Sequence, residues 1–271
     1  MIRPLPKLMR AHAFALPIVL VLVVVVGLMS AIMLERQSAQ RHTTQRQLGW
    51  YQEHHARLGL QEAIEAWIKA LPSSLDLGTV LPPDGHFLDL KLRGGNLAVV
   101  SLLERQNAVL IDLAAVGTVS FDDAAAVIQA CDAVFGPDGP PDGYRSVGPV
   151  ALSAHTASPE LIEVAAQAIT QDAAIAKAFA SSLIADREAN GGRSSANAIG
   201  YAIADASAEP DIRSRLSRMF TVRPTLYYAT VELRSSTVGP AAARYGGYFV
   251  ISNRSSSDRT AFLTWENIGV E

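Results

Sequence analysis

The sequence predicts an α+β fold in which a long amino-terminal helix packs on an antiparallel sheet and a helical insertion separates the strands. Three observations predict it. An uncharged apolar run near the amino terminus continues without proline into an amphipathic segment. Residues 121–206 carry helix starts and helical periodicity. From Met219 onward, apolar residues alternate with a period of two, as in strands with one buried face.

Residues 14–34, "FALPIVLVLVVVVGLMSAIML", contain no charged side chain. Their length matches the roughly 20 residues that a helix needs to span a bilayer. Arg3, Lys7 and Arg10 precede them without an acidic residue, so we expect residues 1–13, a basic leader, to stay in the cytoplasm. The sequence therefore predicts a single-pass membrane protein whose body is exported.

A cleaved secretory signal is the alternative. Such signals have an apolar core of roughly 7–15 residues followed by a small-x-small cleavage site. Here the apolar run is longer and ends in Met33-Leu34-Glu35-Arg36. These features favour a retained anchor.

Residues 35–71 predict that the helix continues beyond the membrane, because no proline interrupts them and Pro72 follows. Their apolar positions recur at the spacing of one helix face. These positions are Leu48, Tyr51, His55, Leu58, Leu60, Ile64, Trp67, Ile68 and Leu71. We predict one helix from residue 14 to about residue 70. The alternative is an anchor, a break near residues 36–46 and a separate helix.

Turn signals divide residues 72–119 into three strands, with turns at residues 94–96 and 105–107. Residues 120–210 predict the helical insertion, because they contain two typical helix starts. One is Ser120 with Asp123, and the other is Ser158 with the proline that follows it. Residues 211–271 predict the carboxy-terminal antiparallel sheet. We expect this sheet to pack on the stripe of Leu60, Ile64, Trp67 and Ile68.

Catalytic motifs are absent from the sequence: it contains no G-x-S-x-G, Walker loop, H-E-x-x-H or C-x-x-C. His155 lies near Ser153 and Ser158 but has no orienting acid beside it in sequence, so we interpret it as a loop residue before a helix. Cys131 is the only cysteine, which excludes an intrachain disulfide. The net charge of −3 gives no electrostatic footprint for nucleic acid. The sequence therefore predicts a protein that is not an enzyme.

Asp138 and Asp142 are weak calcium candidates. They are oxygen donors in the glycine- and proline-rich loop "GPDGPPDGY", and calcium prefers such ligands. Their spacing matches no EF-hand, and a turn held by aspartate side chains is the alternative. No other pattern in the sequence requires a cofactor.

Several segments, in this order, resemble the K-type minor pseudopilins of type II secretion, which belong to the type IV pilin-like superfamily. The head "AFALPIVLVLVVVVGLMSAIMLERQ" resembles the pilin-like leader junction and apolar helix. Further likenesses are "ARLGLQEAIEAWI" in the first helix, "SAHTASPELIEVAAQAI" in the insertion, and "SRMFTVRPTLYYATVEL", "RYGGYFVISNR" and "FLTWEN" in the terminal sheet. The likeness spans nearly the whole chain.

The resemblance implies that prepilin peptidase cuts between Ala13 and Phe14. Ala13 stands where the family normally has glycine, and Ile18 stands where most pilins have a glutamate. K-type pseudopilins also lack that glutamate, which favours a subunit at the tip of the fibre.

The resemblance further implies a non-enzymatic minor pseudopilin in the inner membrane, with its body in the periplasm. Its partners would be other minor pseudopilins, the inner-membrane platform of the secretion system, prepilin peptidase and the membrane. Two alternatives stay open: a signal-anchored exported enzyme or ligand-binding protein, and a minor pilin of a type IV pilus.

Overall fold

The computed structural model describes residues 15–70, 77, 81–82, 85–92, 96–115, 118–206, 209–234, 240–251 and 260–269. The chain divides into two compact units between Leu58 and Gly59. The first unit contains the larger part of one helix. Among the described residues, the second contains the last turns of that helix, a main sheet and five further α-helices. Each unit is described by itself.

The first unit is formed by helix α1, which runs Ala15–Ala70 and ends in the second unit. Every residue from Leu34 to Leu48 is helical, so the predicted continuity of this helix is confirmed and the predicted alternative, a break near residues 36–46, is wrong. Its polar middle contains helix-tolerant residues, and Thr43 and Thr44 donate their hydroxyl protons to carbonyls one turn earlier, at 3.0 and 2.9 Å.

The second unit is built on an antiparallel sheet with strand order β1-β2-β7-β8-β10, in which β9 also pairs with β8. These strands are β1 (His86–Lys91), β2 (Leu97–Glu104), β7 (Leu226–Arg234), β8 (Ala241–Ile251), β9 (Thr260–Phe262) and β10 (Glu266–Asn267). The long pair β7–β8 places Tyr227 opposite Phe249 and Tyr228 opposite Tyr248. Because neighbouring residues point to opposite faces, these two tyrosines of β7 face different sides of the sheet.

One face of the sheet packs on the last turns of α1. Leu60, Ile64 and Ile68 are buried, and they share a core with residues of β2, β7 and β8 such as Tyr227 and Phe249. Trp67 is half-buried against this core, and its ring lies 3.9 Å from that of Phe87 between centroids. The predicted packing of the helix stripe on the sheet is confirmed.

The helical insertion has its own core. It contains α2 (Phe121–Phe135), α3 (Pro159–Thr170), α4 (Ala173–Ala189), α5 (Ala198–Asp205) and α6 (Pro210–Met219). Its core is dominated by α3 and α4, where Leu161, Ile162, Phe179 and Leu183 are fully buried. The side chains of Ser120 and Ser158 accept hydrogen bonds from backbone N–H groups in the first turns of α2 and α3, as predicted.

Two sequence predictions differ from the structure. The third predicted strand, β3 (Val109–Leu110), is not in the main sheet; it pairs in parallel with β4 (Tyr144–Arg145), and its residues belong to the core of the insertion. Residues 211–219, predicted to begin the carboxy-terminal sheet, lie in helix α6. A second short pair joins β5 (Leu152–Ser153) and β6 (Phe220–Thr221), also in parallel. The insertion is therefore closed by short parallel pairs whose strands lie far apart in sequence.

Candidate functional site

The apolar segment of α1 is the first candidate site. From Ile18 to Leu34 its large side chains are 46–66 % exposed, so no other described element covers them. By length and hydropathy, α1 is the one helix among the described residues that could span a bilayer. This agrees with the predicted single-pass anchor. The predicted processing residues Ala13 and Phe14 lie outside the described residues.

The exposed surface of α1 continues beyond the apolar segment. Leu48, Trp50 and Tyr51 are 55 %, 81 % and 64 % exposed, although Leu48 and Tyr51 begin the apolar stripe of the sequence. The stripe therefore has two parts. The later part, from Leu60, packs on the sheet. The earlier part, up to Leu58, packs on no second element among the described residues of the first unit. An apolar helix face of this kind can pack against another helix.

A partly buried polar cluster lies where β2 meets the insertion. We call it the Glu104 cluster, and it comprises Glu104, Ser153, His155, Thr156 and Arg193. The Thr156 hydroxyl donates to Glu104 Oε1 at 2.6 Å. Glu104 Oε2 and Arg193 Nη1 are buried and have no hydrogen-bond partner within the described part of the chain. Burial raises the pKa of Glu104, and the hydroxyls of Ser153 and Thr156 and the charge of Arg193 oppose this shift in part.

His155 is held by both of its ring nitrogens. The backbone N–H of Ser194 donates to Nδ1 at 3.0 Å, and Nε2 donates to the carbonyl of Val222 at 2.7 Å. This pattern requires the neutral ring with its proton on Nε2. Neither nitrogen is free to take a proton from Ser153. Although the fold brings a serine, a histidine and a glutamate together, this histidine connects loops and is not placed as a general base.

The calcium candidates are placed differently from each other. Asp138 is exposed at the end of a single 3₁₀ turn, Gly136–Asp138. Asp142 accepts hydrogen bonds at both oxygens, from Asn107 Nδ2 at 3.0 Å and from the Ser158 backbone N–H at 2.7 Å. Asp142 thus ties its loop to the β2–β3 turn and to the start of α3. No group of three His, Cys, Asp or Glu side chains gathers among the described residues. Calcium binding at Asp138 and Asp142 stays a prediction.

Cys131 lies in the core of the insertion and is fully buried. Burial, with a smaller contribution from the Asp132 charge, raises the pKa of its thiol to about 11. The thiol is therefore protonated at neutral pH, and it packs as a small apolar side chain.

Sequence reasoning missed Glu104. Its partners Ser153 and Thr156 follow it by 49 and 52 positions, and no local motif connects them. The one signal in the sequence was that this glutamate ends a strand whose other residues are mostly apolar and so predict a buried strand.

Comparison with known proteins gives one distant structural match. No family model matches the sequence, and no curated protein matches it. The chain is similar to a solved structure, the GspK-GspI-GspJ complex from the type 2 secretion system of enterotoxigenic Escherichia coli. The sequence identity is 10 %, the match covers 80 % of this chain and 97 % of that chain, and the TM-score is 0.40.

Proposed function

We propose that this protein is a non-enzymatic minor pseudopilin of K type, anchored in the inner membrane with its body in the periplasm. The observation that carries the proposal is the two-part stripe of α1. The same helix has an uncovered apolar half and a half that packs on an antiparallel sheet. A plain anchor does not need this continuity, because a flexible linker would serve it equally well.

The residues at the amino terminus support a place at the tip of a pilus-like fibre. In the pilin-like family, a glutamate near the mature terminus is thought to pair with the amino group of the subunit ahead. Ile18 stands at that position here. A subunit with no other ahead of it has no charge to pair, and a buried unpaired carboxylate would be costly.

The role we propose for α1 is therefore twofold. Residues 14–34 hold the subunit in the membrane until assembly, and they then pack against the helices of neighbouring pseudopilins. The stripe at Leu48 and Tyr51 extends this packing surface beyond the membrane. Prepilin peptidase and the inner-membrane platform are the proposed partners for processing and assembly.

Site-specific cross-linking tests the proposal. Cys131 is buried and protonated, so a cysteine introduced elsewhere is the reactive one. We expect Leu48→Cys in the full chain, labelled in cells with maleimide-benzophenone and irradiated, to cross-link to other pilin-like subunits, which mass spectrometry identifies. Tyr201→Cys is the matched control, because Tyr201 is 59 % exposed on α5 and Leu48 is 55 % exposed. Equal cross-linking at both positions, or none at Leu48→Cys, would contradict the proposed assembly role.

A further inference from the structure

A pocket of about 420 Å³ opens on the face of the sheet that α1 does not cover. Its residues come from the end of β2, the segment after β4, strands β7 and β8, and the segment from β9 to β10. They are Arg105, Ser146, Tyr228, Tyr248, Thr264 and Glu266. The volume is within the range of small-molecule sites, roughly 300–1,000 Å³.

One wall of the pocket is fixed by Arg145. Its buried side chain donates to the carbonyls of Ala108 at 2.9 Å and Val147 at 2.7 Å, and to that of Pro149. These bonds hold the loop that carries Ser146. Because the guanidinium is committed to three carbonyls, this wall does not depend on a ligand for its shape.

The opposite wall is fixed by two glycines of β8. At Gly247, a Cβ atom would collide with the carbonyl oxygen of Thr264, so the segment after β9 can approach only because this residue is glycine. The Tyr248 N–H donates to Thr264 Oγ1 at 3.0 Å and holds the segment there. Gly246 leaves the space in which the Tyr228 hydroxyl lies. The pocket is therefore preformed, which lowers the entropy cost of binding.

The polar groups of the pocket are available to a ligand. Within the described part of the chain, the charged groups of Arg105 and Glu266 and the hydroxyls of Tyr228 and Tyr248 have no hydrogen-bond or ion-pair partner. The two tyrosine rings meet edge to face, with centroids 4.9 Å apart, and form an aromatic corner. Burial, with Tyr248 and Glu266, raises the pKa of Tyr228, so its hydroxyl is a neutral donor at pH 7.

The chemistry of this lining restricts the ligand. Arg105 repels a positively charged ligand, and Glu266 repels a negatively charged one. A ligand with a net charge of either sign is therefore repelled by one of these two side chains. Among the described residues, no aliphatic side chain lines the pocket, which disfavours an apolar ligand. Sugar hydroxyls both donate and accept, so they satisfy a carboxylate and a guanidinium at once. Sugar C–H groups carry partial positive charge and match the negative faces of aromatic rings.

We propose that this pocket binds a neutral saccharide unit, with Tyr228 and Tyr248 as the stacking surface and Arg105 and Glu266 as hydrogen-bond partners of its hydroxyls. This site does not depend on the proposed pseudopilin role, since none of its residues belongs to α1. A short peptide with one basic and one acidic side chain is the competing ligand, because it also balances the two charges.

Saturation-transfer difference NMR tests the proposal on the full chain, held in a detergent without a sugar head group. The probes are cellobiose, N,N′-diacetylchitobiose and a Lys-Ala-Ala-Glu peptide. Binding of either disaccharide supports the proposal, and comparison of the two separates a plain hexose site from one for N-acetylated sugars. We expect Glu266→Gln and Arg105→Ala each to weaken disaccharide binding about tenfold, the loss expected from one hydrogen bond to a charged group.

Two controls keep the test decisive. Neither charged group has a hydrogen-bond or ion-pair partner among the residues that the structure describes, so these variants should melt as the wild type does. Tyr201→Ala removes an exposed tyrosine outside the pocket and should bind the disaccharides as the wild type does. Three results would each overturn the proposal. The first is that the wild-type protein binds neither disaccharide, and the second is that it binds the peptide alone. The third is that Glu266→Gln and Arg105→Ala both bind the disaccharides as tightly as the wild type.

Discussion

The Glu104 carboxyl, at the end of β2, has one oxygen that accepts a hydrogen bond and one buried oxygen that accepts none from the described residues. Because burial raises the pKa of Glu104 in the folded state, the folded protein holds this proton more tightly than the unfolded chain does. The stabilisation from this group is complete below the ordinary pKa of 4.5 and is lost as the pH rises through the raised value.

Glu104→Gln should therefore be more stable than the wild type at pH 7, because the amide cannot ionise and still accepts the Thr156 bond. The difference should shrink as the pH falls towards 4. Urea denaturation of the full chain at several pH values between 4 and 8 measures it. If Glu104→Gln is instead less stable than the wild type, and the difference is largest at pH 7, the folded protein favours the charged Glu104. That result would contradict the prediction.

A second residue-scale prediction concerns the ion pair between Asp123 and Arg215. Arg215 donates to Asp123 Oδ1 through Nε at 2.9 Å and Nη2 at 2.5 Å, and it joins α6 to the first turn of α2. Burial opposes ionisation of Asp123, but the bonds from Arg215 and Ser120 outweigh it and lower the pKa of this carboxyl. The pair is therefore expected to contribute stability above the ordinary Asp pKa, and this contribution is lost as the pH falls through the lowered value.

Arg215→Leu should destabilise the protein by about 2–3 kcal/mol at pH 7, because it leaves a buried carboxylate without its partner. Arg218→Leu, in the exposed last turn of the same helix, should change stability by less than about 0.5 kcal/mol. Denaturant unfolding compares the two. Equal effects would show that the ion pair does not hold α6 in place.

At the scale of elements, the two parts of the α1 stripe differ in what covers them. Ile68 is fully buried against the sheet, whereas Leu48 on the same helix is 55 % exposed. Ile68→Ala should destabilise the second unit by about 2–5 kcal/mol, the usual cost of such a core truncation. Leu48→Ala should leave unfolding unchanged. Tryptophan fluorescence, to which Trp67 beside Phe87 contributes, reports this transition, and equal midpoints in both variants would contradict the packing described here.

The glycines of β8 give a second test at this scale. Gly247→Ala should cost about 1–3 kcal/mol, because the added methyl group meets the Thr264 backbone, which cannot move without breaking its bonds to β8. Gly200→Ala is the control, since nothing lies within 4 Å of its Cβ position in helix α5. That change should stabilise the protein by about 0.5–1 kcal/mol. Thermal unfolding of both variants measures the two effects, and a neutral Gly247→Ala would contradict the close approach.

Local signals made some elements predictable and left others hidden. Ser120 and Ser158 were identifiable helix starts because each side chain caps a backbone group three residues away. Helix α6 begins at Pro210 after Glu209, which makes no side-chain cap, so its start gave no capping signal. β3 was assigned to the wrong sheet because its partner strand follows 35 positions later, and strand pairing at that separation has no local signature.

At the scale of the whole molecule, the arrangement of helix, sheet and insertion followed from two periodicities and the rule that apolar faces must be buried together. The packing of the helix on the sheet was predictable because the spacing of apolar residues in the sequence shows both apolar faces. The Glu104 cluster and the sheet-face pocket were not predictable, because residues from three or more separate segments form each of them. Long-range polar contacts have no spacing rule that a single sequence reveals.

We propose that α1 is an assembly helix of the pilin-like kind, and the mass of the protein isolated from the inner membrane tests this proposal most directly. We expect a wild-type chain that begins at Phe14 and lacks the basic leader, because the small side chain of Ala13 lets prepilin peptidase accept it in place of glycine. Ala13→Arg should leave the leader uncut and add 13 residues to the mature chain. Identical amino termini in both proteins, or a wild-type terminus at Met1 or beyond Ala31, would contradict the claim and indicate a plain signal anchor.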